Sequence, residues 1–178
     1  TLLTTPVSRW QILVGKMMVV VTSGMLAASC ALLGLFVSIE FLDIVDNKEI
    51  LDIVHGILTP SFIIAMFSLL FPLVVFFAGA MIPIAVYAKS FKEAQSIITP
   101  LNFVMVLPAM IGFFPGIELN AMTAAIPVVN IVLSTKELIS GTLSVGYYCI
   151  SLGIMLLLAT LSVIVSYRQF GNEARILN

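Results

Sequence analysis

Charged residues are so sparse in this chain that they punctuate long apolar runs. Between Lys16 and Glu40 lie 23 uncharged residues, between Glu93 and Glu118 lie 24, and between Glu137 and Arg168 lie 30. Between Asp52 and Lys89 the only side chain that can charge near neutral pH is His55. A helix needs roughly 20 apolar residues to cross a bilayer. The pattern therefore predicts four membrane spans, at about 17–39, 61–88, 97–115 and 144–167, preceded by a cytoplasmic lead-in over 1–16. The first span follows a polar lead-in and has no small-residue cleavage pattern behind it, so it does not read as a signal peptide. The second is longer than a crossing requires, about 42 Å of straight helix. Pro72 and Pro83 offer kinks within it, and Thr59 followed by Pro60 reads as a cap with proline at the first helical position.

One apolar stretch does not fit the pattern. Residues 119–135 are uncharged for only 17 positions and carry Pro127 and Asn130 in the middle. Proline would weaken a fifth, short crossing. Basic residues weigh on the same choice, because they concentrate on the cytoplasmic side. With four spans, Arg9, Lys16, Lys89, Lys92, Arg168 and Arg175 lie inside, against Lys48 and Lys136 outside, a 6:2 split; five spans give 5:3. We therefore expect an all-α polytopic membrane protein forming one transmembrane domain. Its four transmembrane helices are joined by a re-entrant or interfacial helix pair on the outer side, at about 117–142. That pair should be broken near Pro127, with both chain ends cytoplasmic.

Composition agrees with this picture. Of 178 residues, 61% are hydrophobic and 10% charged, and the mean hydropathy is +1.19. A soluble domain would be about a quarter charged. A net charge of -1 provides no basic surface for nucleic acid. Cys30 and Cys149 sit far apart in apolar stretches, as neither a disulfide framework nor a zinc spacing, and are expected as buried small residues. The single histidine argues against a metal site.

Several features invite a functional reading beside a structural one. Ser23, Ala27 and Ala31, with Gly24 and Ala28, are spaced to let helices approach closely; a seam within the bundle is expected, with a subunit seam as the alternative. The acids Glu40, Asp43, Asp46, Glu49 and Asp52 form a solvated loop face or a cation-attracting vestibule. The inner connection around Phe91, Lys92, Glu93 and Gln95 is either a headgroup-anchored loop or a short helix docking on a cytoplasmic partner through Phe91. Glu118 and Asn120 lie where the third span breaks, followed by Pro127, Asn130, Lys136 and Glu137. Polar groups at membrane depth are candidates for an outer gate or pathway, or they satisfy neighbouring backbone. The chain has no phosphate-cradling G-x-x-x-x-G-K-[ST] loop, no H-E-x-x-H, no G-x-S-x-G and no acid within a span. These absences disfavour an ATPase, an intramembrane protease and a proton-relay antiporter. A permease driven by a separate ATPase, or a non-transporting scaffold, remains.

The run from Thr1 to Trp10, with Pro6 and Arg9 followed by Ile12, Gly15 and Lys16, resembles the cytoplasmic segment of ABC-2 type permeases. The stretch from Lys89 to Gln95 resembles that family's second inner connection. Pro108-Ala109-Met110 through Pro115-Gly116, then Ile126-Pro127-Val128-Val129-Asn130 and Lys136-Glu137-Leu138, look most like the NatB-type branch, the membrane subunit of sodium-efflux exporters. The resemblance implies a multi-pass plasma-membrane subunit that pairs with a second permease copy or a related subunit. It binds no cofactor itself and is driven by a partner ATPase carrying ATP and Mg. Pro6, Arg9, Phe91, Lys92, Glu93 and Gln95 would then couple to the ATPase. Family members usually have six spans, so this chain is expected to hold the last four.

Overall fold

The computed structural model describes residues 9–42, 59–88 and 90–172. Every regular element among them is helical. Four are long: α1 (Arg9–Leu42), α2 (Pro60–Tyr87), α3 (Phe91–Met110, extended by a 3-10 turn at Ile111–Phe113) and α6 (Val145–Asn172). Two short helices, α4 (Ala121–Ala124) and α5 (Val129–Ser140), lie between α3 and α6. Each long element contains a stretch long and apolar enough to cross a membrane: Trp10–Ser38, Pro60–Ile84, Phe91–Phe113 and Val145–Gln169.

The helix boundaries follow local chemistry. Thr59 caps α2 by accepting from the Phe62 amide, and Pro60 occupies the first turn, where its missing N–H costs nothing. Ser90 caps α3 by accepting from the Glu93 amide at 3.2 Å. Helix α2 continues through Pro72 and Pro83 to Tyr87. Two starts differ from the hydropathy pattern. Helix α1 begins at Arg9, inside the expected lead-in, so Lys16 rides on the helix. The charged inner connection is not a separate short helix, because Phe91 to Gln95 form the opening of α3 itself. A hydropathy window cannot find these starts, since charged residues extend a helix as readily as they end a span.

Helices α2 and α6 form the centre and run parallel. Tyr148 and Ser68 share a hydrogen bond near their starts, and Ser166 Oγ donates to Gly79 O near their ends. At Gly79 a Cβ would come within 2.9 Å of the Ser162 backbone, so glycine is what allows this approach. Helix α1 runs antiparallel to both. Its stripe Leu13, Met17 and Val21 packs on Ala78 and Ile82, and Trp10 meets Tyr167 edge-on at 5.4 Å. A second cluster, Leu69, Ile131 and Met155, joins α2, α5 and α6.

Two expectations about small residues are corrected. Ser23, Ala27 and Ala31 face away from the other helices of this chain rather than into a seam within the bundle. The seam of α1 runs instead through Gly24, where a Cβ would stand 2.9 Å from Val74 Cγ1. Cys30 and Cys149 are exposed, not buried. On a helix apolar all round, composition does not say which face meets another helix and which meets lipid.

Candidate functional site: the broken helix pair and its polar mouth

Pro115 and Gly116 end α3 and its 3-10 turn, and the chain turns back. Asn120 then caps α4: its Oδ1 accepts from the Met122 amide at 2.9 Å and the Thr123 amide at 3.0 Å. Thr123 Oγ1 in return accepts from the Asn120 amide at 2.8 Å. This is a reciprocal capping box. The helix then breaks over residues 125–128, where Pro127 can donate no backbone hydrogen bond. Val128 sits at φ 71° and ψ -51°, which is costly for a β-branched residue. Helix α5 follows and ends at Gly141 in the left-handed conformation. There the Thr142 amide donates to Glu137 O at 2.9 Å and the Gly141 amide to Leu138 O at 3.4 Å, a Schellman end.

The entry and exit of this segment lie side by side. Glu137 Oε1 accepts from the Leu119 amide at 2.6 Å. Lys136 Nζ donates to Ile117 O at 3.3 Å and Phe114 O at 3.4 Å. Two adjacent charged residues thus clamp the incoming segment by its backbone. Between the clamp and the start of α6 lies a cavity of about 390 Å³, lined among others by Glu118, Lys136, Glu137, Ser140, Thr142 and Tyr147. Glu118 is exposed at its rim.

Deeper in, a buried polar knot ties α5 to α6. Asn130, Ser134 and Ser151 are all fully buried. Asn130 Nδ2 donates to Ala124 O at 3.2 Å and Ser151 O at 3.4 Å, and Ser134 Oγ lies 3.5 Å from Ser151 Oγ. Asn130 Oδ1 has no hydrogen-bond partner. The amide thus spans the break, holding the last carbonyl of α4 beside α6.

The two groups of candidate residues occupy opposite ends of the bundle. Glu118, Asn120, Lys136 and Glu137 cluster around the mouth, near the starts of α2 and α6; Pro127 and Asn130 lie behind it. Asn120 is a helix cap and Asn130, Lys136 and Glu137 satisfy backbone, so much of this polarity builds the segment. Arg9 opens α1 at the other end, where Lys92 and Arg168 are exposed. Phe91, Glu93 and Gln95 are exposed there too, Phe91 at 86%. Pro6, His55 and the acids from Asp43 to Asp52 lie outside the described residues, and Glu40 falls in the last turn of α1.

Ser134, Ser151 and the Gly79–Ser162–Ser166 contact escaped the sequence reading. Ser134 follows Asn130 by one helical turn and so shares its face, a signal that could have found it. The serines of α6 carry no local signal. Compared with protein-family models, curated proteins and solved structures, the chain matches none.

Proposed function

We propose that this chain is the membrane-spanning permease subunit of an ATP-driven exporter of the ABC-2 type. The observation that carries the reading is the segregation of polar surfaces. One end of an apolar four-helix assembly carries Arg9, Lys16, Lys92, Arg168 and the projecting Phe91. The opposite end carries a polar cavity built on a broken helix pair. The basic end faces the cytoplasm by the positive-inside rule, which places both Arg9 and Asn172 inside and the mouth outside. A separate ATPase, binding ATP and Mg, docks on the first turn of α3. Its closure moves α3, which packs lightly against the remaining helices, and so alters the mouth through the Gly112–Val132 contact. A second permease copy or a related subunit completes the pathway, in the plasma membrane. Sodium efflux is the activity of the branch the sequence most resembles.

A scaffold that only assembles other membrane subunits is the second reading. It is favoured by the backbone bonds that occupy Lys136 and Glu137. The test is reconstitution with a candidate partner ATPase of the ABC type. Phe91→Ala is expected to weaken ATPase docking about tenfold, more than Lys92→Ala, because a buried aromatic anchor outweighs a rim charge. Glu93→Lys is expected to lower transport with membrane insertion intact. Unchanged ATPase stimulation in all three variants would make the inner connection only a connector, and absence of any stimulation by the unmodified chain overturns the permease reading and favours the scaffold.

A further inference from the structure

A cleft of about 540 Å³ runs between α2, α3 and α6 in the half of the bundle nearest the basic end. Its walls are apolar, with Phe76, Ala80, Leu158 and Leu161 at the deep end. Towards the basic end it is lined by Ile97 and Gln169. Gln169 Oε1 is buried and has no hydrogen-bond donor, one of two such side-chain atoms among the described residues. The other, Asn130 Oδ1, belongs to the knot beyond the helix break.

The other polar side chain lining the cleft, Ser162, donates its hydroxyl to Ala159 O, so it is the Gln169 end that wants a donor. The cleft lies within the stretches of all three helices that are long and apolar enough to cross a membrane. Its volume is that of an ordinary small-molecule site. Arg168 and Lys92 are exposed at the same end, where cations meet lipid phosphates. A buried acceptor left unpaired is costly, and hydrocarbon offers it no donor.

We propose that this cleft is a specific phospholipid site. One acyl chain lies along Ala80 and Leu161, and a headgroup bearing a hydrogen-bond donor, such as ethanolamine or glycerol, donates to Gln169 Oε1. The choline headgroup has no N–H or O–H and cannot make this bond. The inference rests on the membrane placement of the helices and stands independently of the exporter reading.

The test uses the full chain in vesicles of phosphatidylethanolamine or of phosphatidylcholine. Each contains a trace of the same phospholipid with a photoactivatable diazirine in its acyl chain, and adducts are mapped by mass spectrometry. Adducts should concentrate on residues 76–84 and 158–169. The ethanolamine lipid should label these residues about fivefold to tenfold more than the choline lipid, the size of one net hydrogen bond. Gln169→Leu should remove that preference. Ala80→Phe should reduce labelling in the cleft about tenfold while sparing the groove beside Phe71 and Ile164. Adducts spread evenly over all four helices, or equal labelling by both headgroups in the unmodified chain, would overturn the proposal. So would efficient cross-linking between two copies through Ala80→Cys, which would make the cleft a subunit contact instead.

Discussion

Glu137 reaches back to Leu119, accepting its amide proton at 2.6 Å across 18 residues of chain. A charged acceptor on a backbone amide is among the stronger hydrogen bonds. Here it fastens the way into the helix pair to the way out. Removing it in Glu137→Ala leaves the Leu119 amide unpaired beside a partly buried wall, at a cost of about 1–3 kcal/mol. We expect a lower Tm in detergent for that variant and a smaller drop for Glu137→Gln, whose side-chain carbonyl still accepts. Glu118→Ala, at the exposed rim, should leave Tm unchanged. Equal effects at 118 and 137 would deny the clamp.

The same bond dictates topology. A segment whose ends are tied together returns to the side it left. In a background of Cys30→Ala and Cys149→Ala, tolerable because both cysteines are exposed, cysteines placed at Glu118 and Thr142 should react with an impermeant reagent from one side. A cysteine at Lys92 should react only from the other. Reaction of 92 and 142 from the same side would mean that 117–142 crosses the membrane.

Asn130 holds two carbonyls, those of Ala124 and Ser151, in a fully buried setting. Asn130→Leu keeps the branched shape of the side chain and removes both donations, and should destabilise by about 2 kcal/mol or more. Asn130→Asp should be worse, since a buried carboxylate facing carbonyl oxygens has no compensating charge. Ser134→Ala breaks only a long contact and should be mild. Thermal unfolding of the three variants ranks them, and a mild Asn130→Leu would remove the knot as a structural element.

Gly79 sets the separation of α2 and α6. Gly79→Val places branches against the Ser162 backbone and should force the helices apart, costing about 1–3 kcal/mol as an overpacked contact. Gly15→Ala, where nothing lies within 4 Å of the added carbon, should be neutral or slightly stabilising. The comparison separates a packing glycine from an incidental one on the same thermal assay.

The charged residues bear on what was readable in advance. Their spacing placed the four long helices, and Pro127 with the short uncharged run placed the break between α4 and α5. Both signals are local: a run of apolar residues must span, and a proline removes a donor wherever it stands. The caps at Thr59 and Asn120 are local in the same way, although in sequence Asn120 serves equally as a gate candidate.

By itself, then, the sequence determined an all-helical membrane chain, the extent of its apolar spans and a discontinuous segment ahead of the last one. Only the tertiary structure decided which faces meet. In helices apolar on every side, burial against a neighbour and burial in lipid satisfy the same residues, so periodicity carries little information. That is why Gly24 rather than Ser23 faces Val74, and why the exposed Cys30 and Cys149 gave no sign of their position. It is also why Lys136 and Glu137, adjacent charges that look like a pathway in one dimension, prove to be fastened to the backbone of residues 114–119 in three.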